Sequence, residues 1–249
     1  MKPVTGWAVV CALCMPLVHA QTMKPAKPAG AVPKVPYYFD PAVLNLVNLI
    51  PPPPSVDSAV NKAELTELHR IEKARTPSQV AAARNDEAQE DLFAFNSVLG
   101  AGFNPVALPV TAELGVHVKN EQSVAGGALK LIFQRLRPYQ TDKTLHPVCG
   151  ITMSLNSYPS GHALTGYLEG FTLAEIVPEK RAQILARADE YARNRLVCGV
   201  HYPSDIEESR RVAYAVFGYM MATPKFQHDL AAARAETRSK LGLAAAGIP

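Results

Sequence analysis

Four consecutive prolines, Pro51, Pro52, Pro53 and Pro54, set the first limit on this chain. Proline lacks a backbone N–H and fixes φ, so neither a regular helix nor a central strand can run through them. Extended, polyproline-like backbone is favoured instead. The 249 residues are thereby divided. Residues 21–54 are rich in Pro, Ala and Lys and read as a leader, flexible at its start, with residues 37–50 apolar enough to pack on the surface of the folded domain. Beyond Ser55 the apolar residues recur at helical spacing, and no convincing apolar–polar alternation appears, so β structure is expected to be minor. With 48% apolar residues the chain can bury a full core, and residues 55–249 are expected to form one all-α domain.

Capping chemistry predicts the boundaries. Asn61 is a candidate cap for a helix to about Ala74. Thr76-Pro77-Ser78-Gln79 offers a Thr cap, Pro at the first helical position and Gln three after the cap, predicting a helix through residues 81–94 that ends near Gly100. Further helices are expected at about 108–118, 121–136, 162–176, 179–197, 205–221 and 224–241, the last opening on Thr223-Pro224.

Residues 1–20 have the layout of a secretory signal: Lys2, an apolar run from Trp7 to Val18, then Val18-His19-Ala20 before the expected cleavage. The run falls short of the ~20 residues a membrane span needs. No later segment is long and apolar enough, so a periplasmic or secreted protein without a membrane span is expected. Cys11 and Cys14 would leave with the signal. Cys149 and Cys198 remain in an oxidising setting, either as a disulfide or as two buried thiols. The net charge is +3 with no concentrated Lys/Arg run, which argues against nucleic acid as a partner.

Three polar clusters carry the chemistry. Lys130 and Arg137 are two helical turns apart, so both are expected on nearly one helix face, with Pro138 ending that helix. Ser160 is a plausible N-cap ahead of an apolar helix, where free backbone N–H groups bind anions, and His162 stands in the first turn, placed to protonate a departing oxygen as a general acid. Arg195 closes a long helix. His201 and Asp205 flank Tyr202-Pro203-Ser204, so the Asp205 carboxylate can orient the imidazole and leave its other nitrogen to attack. Taken singly, a solvated basic face, a capped helix and a His–Asp brace would explain them. Together they suit a site that grips a tetrahedral oxyanion. Three cations beside two His and one Asp disfavour a divalent metal and favour a phosphoryl group.

The string K-x6-RP, PSGH, R-x5-H-x3-D resembles the signature of the type-2 phosphatidic acid phosphatase superfamily. Within it the chain is similar to the class A bacterial nonspecific acid phosphatases, with the tetraproline, Ser157-Tyr158-Pro159-Ser160-Gly161-His162 and Cys198-Gly199-Val200-His201 in support. The resemblance implies a single helical-bundle domain of the kind shared with vanadium haloperoxidases. It also implies a metal-independent, cofactor-free enzyme that hydrolyses phosphate monoesters through a phosphohistidine, and it suggests acid-side activity and a homo-oligomer. By position His201 would be the nucleophile, Asp205 its partner and His162 the acid and then base. Lys130, Arg137, Arg195, Ser160 and Gly161 would hold the phosphate. One departure stands out: Asn194 precedes Arg195 where the family usually has Ser, and its amide can still donate to phosphate. Residues 206–209 are also more acidic than the family leads one to expect, and Tyr158 and Tyr202 can line a leaving-group pocket or belong to the core. The alternatives are a vanadate-dependent haloperoxidase-like enzyme and a non-catalytic phosphate-binding helical protein.

Overall fold

A computed structural model describes residues 34–244; the expected signal and the first part of the leader lie outside the described residues. Among the described residues the α-helices run in this order: α1 (Leu46–Leu49), α2 (Ala59–Ala74), α3 (Pro77–Ala88), α4 (Asn96–Leu99), α5 (Pro109–Phe133), α6 (Pro138–Thr141), α7 (Gly161–Ile176), α8 (Arg181–Val197), α9 (Pro203–Met221) and α10 (Pro224–Lys240). Among these same residues there is no strand, and no helix is long and apolar enough to cross a membrane.

Helix α7 is the axis of the bundle. Its residues 163–174 are buried without a break, the mark of a helix enclosed on all sides. It packs against α5, α8, α9 and α10. Small residues permit the close approach of α8: a Cβ added at Gly166 would lie 2.6 Å from the Tyr191 ring, and one at Gly170 would lie 2.9 Å from Ala188. Enclosing α7 fixes its N-terminus, with Ser160, Gly161 and His162, against the ends of its neighbours.

Several boundaries differ from the sequence expectation. Ser58, not Asn61, caps α2, accepting from the Asn61 amide at 3.1 Å. The capping box on Thr76 and Gln79 forms, but α3 stops at Ala88 instead of continuing toward Gly100; a 3-10 turn (Leu92–Phe95) and α4 come next, burying Phe93 and Phe95 in the core. The two helices expected at 108–118 and 121–136 are one, α5, ending at Gln134 in the left-handed region at φ 43°. Burial of apolar faces outweighs the weak local stop signals there.

The packed domain also takes in residues 37–50, part of the stretch read as leader. Tyr38, Phe39, Leu46 and Ile50 belong to the main core, and buried Glu121 on α5 accepts from the backbone of Tyr37 and Phe39 at 2.6 and 3.2 Å. At the tetraproline, the Pro51 carbonyl accepts from the Tyr158 hydroxyl at 2.5 Å. Cys149 and Cys198 are joined as a disulfide with Cα atoms 5.2 Å apart, tying the segment before α7 to the α8–α9 turn.

Candidate active site

His201 stands in the turn between α8 and α9, and its burial leaves it 1% exposed. Its Nδ1 lies 3.1 Å from the Asp205 carboxylate. Asp205 is at the third position of α9, opened by Pro203, where a carboxylate can reach back to the N-cap amide; it accepts from Tyr202 N at 2.9 Å. The same oxygen accepts from Ser157 Oγ at 2.5 Å, and the other from Arg135 at 2.7 Å. A carboxylate with this many donors is an acceptor throughout, so His201 carries its proton on Nδ1 and presents Nε2 as a lone pair. The Arg137 guanidinium, 3.2 Å from Nε2, agrees with that tautomer. Burial, then Arg137, Lys130, Arg195 and His162, hold the His201 imidazole well below its usual pKa, so it is neutral at working pH.

The three cations converge, but not by helical register. Lys130 is in the last turn of α5, whereas Arg137 lies beyond the Gln134 break, as N-cap of α6. Their meeting point is Asn156: its carbonyl accepts from the Lys130 ammonium and its side-chain oxygen from Arg137 Nε at 2.9 Å. Arg137 also donates to the Val200 carbonyl at 2.9 Å, which locks it beside His201. Arg195 arrives from the last turn of α8 and is 2% exposed, with its Nε buried and without a protein partner. Burial and the neighbouring Arg137 and Arg195 push the Lys130 ammonium down to about 7, and burial with Arg195 pushes Arg137 down to about 10. Like charges crowded out of water define a site short of one anion.

At α7, Ser160 is the N-cap and accepts from Ala163 N at 3.3 Å. Its position is set from α9: Ser160 N donates to the Asp205 carbonyl at 3.1 Å, and Ser209 Oγ donates to the Ser160 carbonyl at 2.9 Å. Helix start and His201 turn are therefore braced on each other. His162 reaches the other way, its Nε2 being 2.7 Å from Glu90 and 3.4 Å from the Glu87 carbonyl. Glu87 itself lies 3.4 Å from Arg195 and accepts from Gly150 N at 3.0 Å.

Several features were not foreseen from sequence. Arg135, which belongs to none of the three clusters, is buried; it spans Asp205, Ser204, Asn61 and Glu64 and stacks 3.8 Å over the Tyr202 ring. Its only local sign was the pair of arginines around Leu136. Asn156, Glu87 and Glu90 carried no sign at all. Asn194 turns its amide to Asp86 at 2.7 Å, not to the phosphate cradle, and with Arg187 it clamps the end of α3 onto α8. Tyr158 and Tyr202 are both 1% exposed and are core aromatics. The acidic stretch after Asp205 has an account: Glu207 and Glu208 pair with Arg210 and Arg211 one turn on. Among the described residues no group of three or more His, Cys, Asp or Glu is arranged to hold a metal ion.

Comparison with known proteins adds three findings. The family model described as PAP2 superfamily matches residues 117–229, which contain all three clusters. The non-specific acid phosphatase of Salmonella typhimurium is 28% identical over 228 residues, covering 88% of this chain and 90% of that protein, and that of Providencia stuartii is 28% identical over 219 residues, covering 85% and 88%. Among solved structures, a transmembrane PAP2 type phosphatidylglycerolphosphate phosphatase from Bacillus subtilis aligns with a TM-score of 0.46 at 17% identity, over 66% of this chain and 86% of that one.

Proposed function

We propose that this chain, which belongs to the PAP2 superfamily, hydrolyses phosphate monoesters as a non-specific acid phosphatase, through a phosphohistidine on His201. The observation that carries the reading is His201 itself: a buried neutral imidazole, Nδ1 held by Asp205 at 3.1 Å, Nε2 turned to Arg137 at 3.2 Å.

Lys130, Arg137 and Arg195 neutralise the phosphoryl oxygens, helped by the Ser160 hydroxyl and the Gly161 N–H at the start of α7. In the first step His201 Nε2 bonds to phosphorus while the ester P–O bond breaks, and His162 gives its proton to the departing alcohol oxygen. Asp205 stabilises the imidazolium that forms. In the second step the now neutral His162 takes a proton from water, the water oxygen bonds to phosphorus, the P–N bond breaks, and His201 leaves neutral. The chemistry asks for positioning and charge, which these side chains supply without a metal. The signal-like residues 1–20 and the Cys149–Cys198 disulfide support an extracytoplasmic location.

The test is to quench turnover of a labelled monoester, with chelator present, and map the acid-labile label. It is expected on His201, and to vanish in His201→Ala while that variant still binds phosphate. A label elsewhere, or hydrolysis by His201→Ala equal to the parent, overturns the assignment.

A further inference from the structure

We propose that Glu90 is the positioning carboxylate of His162, holding it as the charged imidazolium that delivers a proton to the leaving oxygen; this rests on the phosphohistidine reading. Glu90 lies in the short link between α3 and the turn at Leu92, outside all three sequence clusters. One carboxyl oxygen is 2.7 Å from His162 Nε2, the other 2.5 Å from the Lys119 ammonium, and Lys119 also donates to the Glu90 carbonyl at 2.9 Å. The carboxylate is thus anchored on α5 while it faces the imidazole on α7. An imidazole that donates Nε2–H to a carboxylate is fixed in orientation and favoured in its protonated form.

The charged groups around His162 are consistent with this. Glu87, near the end of α3, turns its carbonyl to His162 Nε2 at 3.4 Å; Lys119 on α5 shares the Glu90 carboxylate; and His201, in the α8–α9 turn, feels His162 together with Lys130, Arg137 and Arg195. Lys130, Arg137 and Arg195 are the groups a bound phosphate neutralises. Burial pushes the Glu90 carboxyl up, but the hydrogen bonds from His162 and Lys119 outweigh it and hold the group ionised, below the usual carboxylate range. Glu169, two turns along α7, is the contrasting case. It is wholly buried with neither carboxyl oxygen partnered, and burial with Asp91 and Glu90 pushes it well above its usual value, so it is neutral and does not compete for the proton.

The experiment uses the full chain with Glu90→Gln and Glu90→Asp. Each is followed by NMR titration of the His162 ring and by kcat against pH, on an alkyl phosphate and on p-nitrophenyl phosphate. In the parent, His162 should titrate above the ordinary imidazole value of ~6.5. In Glu90→Gln its titration, and the alkaline limb of kcat for the alkyl ester, should both move down by about one pH unit or more. The nitrophenyl ester, with its better leaving group, should lose less, and Glu90→Asp should fall between. Parent titration at or below ~6.5 overturns the proposal; so does an unmoved limb in Glu90→Gln. Should Glu90→Gln fail to fold, the parent titration and Glu90→Asp still decide. A phosphoenzyme label away from His201 would sink the phosphohistidine reading but leave the His162 titration intact, so the two failures are distinguishable.

Discussion

The two imidazole–carboxylate pairs of this protein share one chemistry and sit in opposite surroundings. His201 and Asp205 are buried, the carboxylate is saturated by Ser157, Tyr202 and Arg135, and three cations face the imidazole. His162 and Glu90 are partly open, with side chains 14% and 32% exposed, and Lys119 is the cation that shares the carboxylate. A nearby carboxylate therefore does not decide whether an imidazole is charged. The cations and the burial on its other side do, and in the proposed mechanism the same dyad serves as a nucleophile in one place and an acid in the other.

The largest expected break in this contrast is Asp205→Asn. Its amide NH2 would face either Arg135 or the group of donors on the opposite oxygen, so the His201 tautomer is no longer held. We expect kcat to fall by ~10³–10⁴ with phosphate binding largely kept, and stability to fall by ~3–5 kcal/mol as Arg135 loses a buried partner. A drop in kcat below tenfold would show that orientation of His201 is not Asp205's task.

His162→Ala comes next. Loss of a general acid should cost ~10²–10⁴ in kcat on alkyl esters and clearly less on nitrophenyl esters. Equal losses on both would remove the acid role and with it the contrast.

The smallest effect is a pH dependence of stability. Lys130 titrates near 7 in the folded protein against 10.5 ordinarily. Between those values the unfolded chain binds the extra proton, so the ligand-free protein should gain stability as pH rises from about 7 toward 10, on the order of a few kcal/mol at most. Inorganic phosphate should stabilise most at the acid end, where the three cations are all charged. Thermal melts across that range, with and without phosphate, check the sign. A Lys130→Met variant that keeps the same pH trend would show that another group causes it.

The parts legible in sequence are those written in short segments. The Thr76–Gln79 capping box, the Ser160 cap and the proline openings of α9 and α10 follow from backbone groups that neighbouring residues must satisfy. The His201–Asp205 spacing is of the same kind, because one helical turn fixes its reach. The Lys130–Arg137 spacing misleads for an instructive reason: Gln134 turns left-handed and breaks the shared face, and the two cations meet through Asn156 on a distant loop. Asn194 misleads likewise, since nothing near it in sequence announces Asp86.

Sequence alone was enough for an all-helical chain and for the helix starts that carry the candidate groups, because caps, prolines and one-turn spacings are local physics. Tertiary structure alone decided how each group is charged. Arg135 is bound to Asp205 across 70 residues, Arg187 to Asp86 across 101, and Glu90 reaches His162 from the link that follows α3. Those contacts come from packing around one buried helix, and proton affinity depends on everything within a few ångströms in space, whatever its place along the chain.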